Sequence, residues 1–232
     1  MLHISENPLH PKLLRLDIGA GVLTKKELDA ACLRPPKRGF TCTLPAHNTK
    51  AIALLSSYGF TLARQTVEGG WRGDASLNKV GLCGGTLAAQ PSFTAAWLEA
   101  HRVHYFATHH INPPAVLDSE RWRETFLGAD FLPEAAFFIQ QNHKVVAFSS
   151  LRKQTAGHWE LAWFGVDPIL WQTPKAALLN EGLVAMETAY MATNGIENAV
   201  IELDSTNPDA VWRLNHCPIF ERETYETYHL QG

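Results

Sequence analysis

Residues 158–183, HWELAWFGVDPILWQTPKAALLNEGL, constrain the fold more than any other stretch of the chain. They read as a strand, a proline-bounded turn and the start of an amphipathic helix. Trp159, Leu161 and Trp163 alternate with Glu160, Ala162 and Phe164, the period-two pattern of a strand. Asp167-Pro168 closes that strand. Thr173 stands at an N-cap position with Pro174 first in the helix, where a missing N–H costs nothing. Leu179, Leu183, Met186 and Tyr190 recur at helical spacing, and Asn194-Gly195 supplies a left-handed stop. A strand that delivers its end to a helix N-terminus presents free N–H groups and a positive dipole, a natural seat for phosphate. One acid, Glu160, interrupts an otherwise apolar strand.

At 232 residues the chain has room for one large domain or two modest ones. A net charge of -3 gives no pull toward nucleic acid or an anionic membrane. No apolar run approaches the ~20 residues needed to cross a bilayer, and the N-terminus lacks a signal-peptide core. Cys32, Cys42, Cys83 and Cys217 are scattered with no CxxC pair, which predicts reduced thiols in a cytoplasmic protein.

In order along the chain, strands are predicted over residues 13–18, 40–44 and 60–67, and helices over 24–31 and 48–58. A charged turn is expected at 34–39. Residues 69–90, rich in Gly, Ser, Thr and Asn, read as a connector with room for one edge strand. Two helices follow, over 93–106 and 119–127. Segments 136–141 and 144–151 flank Asn142-His143 as a hairpin. Beyond the long helix come a strand over 199–203, a helix over 208–216 and a last strand over 221–230. This divides the chain into an N-terminal part, 1–90, and a C-terminal part, 91–232. The two parts echo each other: Leu44, Asn48 and Ala51 share the frame L-x-x-x-N-x-x-A with Leu203, Asn207 and Ala210. The echo is either a duplicated half or a strand, Asn cap and helix used twice.

This element order resembles the GCN5-related N-acetyltransferase (GNAT) superfamily over residues 92–232. Its best local matches are Phe164-Gly165-Val166-Asp167-Pro168 and IELDSTNPDA, residues 201–210. The first half matches only the family's closing unit, through Asn48, Ala51, Leu54, Gly59 and Phe60. A truncated copy before a complete one is similar to the arrangement in dTDP-fucosamine acetyltransferase-like proteins. The resemblance implies an α/β (α+β) fold: a mixed, mostly antiparallel sheet flanked by helices, with a partial N-terminal repeat and a complete C-terminal domain.

It also implies acetyl-CoA as co-substrate, lying between the strands that end at Val166 and Leu203. Backbone groups of Phe164 and Val166 would pair with the pantetheine, as an added strand does. N–H groups from Trp171, Gln172, Thr173, Lys175 and Ala176 would face the pyrophosphate, and Asn207 would cap its helix or touch the cofactor. No register puts a glycine into this helix start, where the family's loop reads R/Q-x-x-G-x-G/A. Glu160 would accept a proton from the attacking amine, or else pair with Arg152 or a lysine. His109, His110 and Asn112 fall in the family's acceptor-side loop. The family's tyrosine acid is absent, Leu214 standing in its place. His101 and His104 lack the carboxylate or cysteine that would complete a metal site, so no metal is expected. The expected partner is a small-molecule or peptide amine, with no nucleic acid or membrane, in a monomer or homodimer. The rival reading is a degenerate module that binds CoA, another ligand or a protein without turnover. Transfer of a different acyl group is a third.

Overall fold

The computed structural model describes residues 2–19, 22–32, 38–74, 76, 81–154 and 157–231. Most of the turn expected at 34–39 lies outside them. The chain divides into two compact units. Unit 1 holds Met1–Val67, His109–Val116 and Glu223–Gly232; unit 2 holds Glu68–Thr108 and Leu117–Arg222.

Unit 1 contains β1 (Leu2–Ser5), β2 (Leu13–Ile18), α1 (Lys25–Cys32), β3 (Gly39–Pro45) and α2 (Thr49–Ser57). It also takes the first part of β4 (Thr61–Trp71) and the last part of β10 (Ile219–Leu230). The strand order is β1-β2-β3-β10-β4, with β2 and β3 parallel and β3 antiparallel to β10. β1 is absent from the sequence reading because four residues, LHIS, are too few for an alternation to register. α1 opens with a capping box: Glu27 N–H donates to Thr24 Oγ1 and Thr24 N–H to Glu27 Oε2. Leu16, Leu28, Phe40, Cys42, Leu55 and Phe60 form the core of this unit. Burial pushes the Cys42 thiol up to about 12.

β4 continues through Gly69 and Gly70 to Trp71, beyond the end predicted for it, so residues 69–71 are strand and not connector. Glycine normally weakens a strand. Here the missing side chain is the point: a Cβ on Gly70 would lie 2.3 Å from the Phe220 ring. The ring of one strand fills the space above the glycine of another.

Unit 2 contains β5 (Gly84–Thr86), α3 (Thr94–Thr108), α4 (Ser119–Phe126), β6 (Ala136–Gln141), β7 (Lys144–Lys153), β8 (Trp159–Val166), α5 (Pro174–Thr193), β9 (Ala199–Asp204) and α6 (Pro208–His216). Its strands run β4-β9-β8-β7-β6-β5, so β5 is an edge strand. β5 through β8 pair antiparallel, whereas β8 and β9 are parallel. The β6–β7 hairpin turns on Asn142 and His143 at φ 48° and 62°, two consecutive left-handed residues as a type I′ turn requires. α3 packs on β7 and β8, and α5 on β6, β7 and β8. The core between α3, α4 and the sheet is aromatic: Trp97, Tyr105, Trp122, Phe126, Phe148 and Trp163 surround the His101 ring.

Candidate functional site

Among the described residues, β8 and β9 are hydrogen-bonded neighbours only across Trp159↔Ala199, Glu160↔Val200 and Leu161↔Ile201. The ladder stops there, although β8 runs on to Val166 and β9 to Asp204. Backbone groups beyond that point need other partners. Asp167 N–H donates to Val146 O on β7 at 2.9 Å. By alternation along the strand, the N–H groups of Val166 and Phe164 then face the β9 side.

The Val166 N–H is engaged. It donates to Asp209 Oδ2 at 2.9 Å. The same oxygen accepts from Trp171 Nε1 at 3.0 Å and lies 3.0 Å from His104 Nε2, while Oδ1 accepts from Asn180 Nδ2 at 2.8 Å. One carboxylate thereby ties α3, the end of β8, the turn after it and α5 to the start of α6. Asp209 is 1% exposed. Burial alone would raise its pKa, but His104 first, then Asn180 and the Val166 N–H, outweigh burial and hold it below the usual carboxylate range.

The chain arranges this hub locally. Asn207 caps α6, accepting from Asp209 N–H at 3.0 Å, and Pro208 occupies the first helical position. Asp209 follows in the first turn, where the helix dipole favours a negative charge. His104 reaches across because Gly165 has no side chain: a Cβ there would lie 2.4 Å from two of its ring atoms. Phe148 and Trp171 meet the imidazole edge to face. Nearby, Arg213 on α6 forms a two-fold ion pair with Glu187 on α5 at 2.8 Å for each bond, both side chains being fully buried. Its guanidinium lies 4.3 Å from the centre of the Phe164 ring.

The start of α5 differs from the open seat that its sequence suggests. Thr173 holds the cap position, but its hydroxyl donates to Leu170 O at 2.7 Å and makes no cap bond. The N–H groups of Trp171, Thr173 and Ala176 donate to Pro168, Leu170 and Thr173 carbonyls, and Pro174 has none to give. A three-residue helical turn at Pro168–Leu170 draws this backbone in on itself. Lys175 Nζ donates to Gln141 Oε1, and Gln172 is exposed.

Glu160 sits in the paired part of β8, directly across from Arg152 on β7. Arg152 grips both carboxylate oxygens with Nε and Nη2 at 2.9–3.1 Å, and Gln154 adds a further bond. That is the ion-pair alternative which the sequence left open beside the base. Arg152 also lines a cavity of about 120 Å³ with Phe126, Phe131, Ser150, Ala162 and Trp163. It is smaller than the roughly 300 Å³ of the smallest common ligand sites. His109 and Asn112 belong to unit 1, where the His109 ring stacks 5.1 Å from that of His10 and Asn112 O accepts from His10 Nδ1 at 2.6 Å. His110 is exposed. Burial pushes the Cys217 thiol up to about 11. Among the described residues no group of three His, Cys, Asp or Glu side chains could hold a metal ion.

The structure thus brings Phe164, Val166, Trp171 and Asn207 to one place and leaves Glu160 outside their hydrogen-bond network. His104, Asn180, Asp209, Glu187 and Arg213 were not read from the sequence as site residues. Glu187 carried a legible signal, a lone acid on the buried stripe Leu183, Glu187, Met191. Asp209 carried none, since an acid in a helix's first turn is ordinary.

No family model and no curated protein matches the chain. Solved structures do. A GCN5-related N-acetyltransferase from Sphaerobacter thermophilus superposes with a TM-score of 0.65 at 17% identity, over 99% of this chain and 76% of that one. The chain has the GNAT fold. A conserved protein of unknown function from Staphylococcus epidermidis matches at a TM-score of 0.59 and 10% identity, covering 96% of this chain and 85% of that one. A tandem GNAT protein from the clavulanic acid biosynthesis pathway matches at 0.51 and 13% identity, covering 95% and 75%. The acetyl-CoA contacts expected from the sequence resemblance fall on the ends of β8 and β9, where these two strands do not pair with each other, and on the start of α5.

Proposed function

We propose that this protein transfers an acyl group, acetyl in the simplest case, from its CoA thioester to an amine. The observation that carries the proposal is the early end of the β8–β9 ladder at Leu161↔Ile201 within a GNAT fold. Two adjacent parallel strands that stop pairing leave a gap into which an extended, amide-bearing ligand can add as a strand does. Phe164 would offer its backbone to the pantetheine and Asn207 would border it. The residues at the far end of the gap do not fit this ligand as they stand. Val166 N–H is held by Asp209, and N–H groups of Trp171, Thr173 and Ala176 are spent on their own turn.

On this reading the acceptor amine approaches from the cavity lined by Phe126, Trp163 and Arg152, whose volume of about 120 Å³ suits a short amine-bearing chain. Glu160 would take the ammonium proton through water, since a protonated amine has no lone pair with which to attack. The Arg152 pair orients its carboxylate. We include in the proposal the chain's organisation as a truncated GNAT-like copy, 1–90, before a complete one, 91–232.

A second reading is favoured by a specific observation. The bonds of Asp209 to Val166, His104, Trp171 and Asn180 are those of a closed cleft, which suits a module that binds a partner or ligand without turnover. Thermal unfolding with and without acetyl-CoA tests the first reading. A rise of several degrees at millimolar ligand is expected, with thiol release on an amine panel. No shift at that concentration argues for the second.

A further inference from the structure

We infer that Asp209 sets the affinity of this cleft for acyl-CoA, because its carboxylate occupies the backbone donor at Val166 that a ligand amide would use. The inference rests on reading the β8–β9 gap as the acyl-CoA site. A single N–H serves one well-aligned acceptor at a time, and Asp209 Oδ2 already stands 2.9 Å from Val166 N. An ionised carboxylate is the stronger acceptor, so an amide carbonyl does not displace it by hydrogen-bond strength alone.

The carboxylate is also held from behind. His104 Nε2 and Trp171 Nε1 share Oδ2 with Val166, and Asn180 Nδ2 binds Oδ1. Moving Asp209 aside breaks all four contacts in a region with 1% exposure of that residue. A second feature of the hub suits an amide. Asn180 Nδ2 donates to Asp209 Oδ1 and to Ala176 O, while among the described residues its Oδ1 is buried with no hydrogen-bond partner. A buried acceptor without a donor is costly. A pantetheine amide carries a carbonyl, the acceptor that Val166 N–H needs once Asp209 is withdrawn, and an N–H, the kind of group that Asn180 Oδ1 lacks. Asp209 is therefore an internal stand-in for the ligand's acceptor, and weakening its hold should strengthen binding.

Isothermal titration of acetyl-CoA into the full chain, as wild type, Asp209→Ser and Trp171→Phe, tests this. Serine is too short to reach Val166, and phenylalanine removes one of the donors that anchor the carboxylate while leaving the acid in place. Asp209→Ser should bind at least about tenfold more tightly than wild type, the size of one charge-assisted hydrogen bond. Trp171→Phe should bind a few-fold more tightly, and it carries the test alone if circular dichroism shows that Asp209→Ser does not fold. If wild type binds and the folded variants bind equally or more weakly, the role of Asp209 is overturned while the acyl-CoA reading stands. If wild type is silent and a variant binds, Asp209 is confirmed as the block and the native chain's proposed activity fails. Silence from all three overturns both.

Discussion

The starts of α2 and α6 are the same local device put to different ends. Each follows a strand, and each is capped by an asparagine in the frame L-x-x-x-N-x-x-A: Asn48 accepts from Ala51 N–H and Asn207 from Asp209 N–H. The alanine of each frame is buried, Ala51 at 4% and Ala210 at 1% exposure. Two residues after the asparagine, however, stand Lys50 and Asp209. Lys50 is exposed. Asp209 is buried among four hydrogen-bonding partners. Six residues after the asparagine, Leu54 packs against the core of unit 1, where α6 instead carries Arg213 in its buried pair with Glu187. The frame builds the helix start; single positions inside it decide whether that start is surface or site.

The two helix starts differ most in what they contribute to stability. Asp209→Ala should cost about 3–5 kcal/mol, because it leaves the Val166 N–H, the indole N–H and the Asn180 amide without their acceptor. Lys50→Ala should stay within about 0.5 kcal/mol, as a surface change does. Urea midpoints of the two variants measure both. Similar losses would mean that the hub contributes no more than an exposed side chain.

A smaller effect appears in acid. Asp209 has a lowered pKa in the fold, so its contribution is fully present above the ordinary carboxylate value near 3.8. It is lost as the pH falls below that value through the folded pKa. As the pH falls below 3.8, wild type should therefore lose stability more steeply than Asp209→Asn, whose side chain does not titrate. Parallel curves would show that folding leaves the Asp209 pKa where it is in the unfolded chain, and a shallower loss in wild type would show that the buried group is held neutral. The corresponding change at Lys50, Lys50→Gln, should leave the acid limb as it is in wild type.

What could be read from the sequence follows the range of the interactions. β8, the β6–β7 hairpin and α5 are set by neighbours in the chain: alternation over Trp159–Val166, the Asn142-His143 turn, and the cap and proline at Thr173-Pro174. β1 is too short to show a period. The extension of β4 is hidden because Gly69-Gly70 reads as a break until Phe220, far along the chain, is placed over it. The site divides in the same way. The unusual helix start Thr173-Pro174-Lys175 was visible as a lack of glycine. The ladder's end at Leu161 and the convergence of His104, Val166, Trp171 and Asn180 on Asp209 depend on residues up to 105 positions apart. No local pattern records them. Besides Glu187 on its apolar stripe, Gly165 carries a local sign, a glycine within a strand, and its meaning is the close approach of His104.

The Asp209 carboxylate holds the Val166 amide at the mouth of the gap. Residue-resolved hydrogen exchange tests it most directly, on wild type and Asp209→Ser at a pH where both are folded. The Val166 amide should exchange slowly in wild type and much faster in the variant, while the Asp167 amide, bonded to Val146 O, keeps its protection in both. Equal protection of Val166 in the two proteins would contradict the claim.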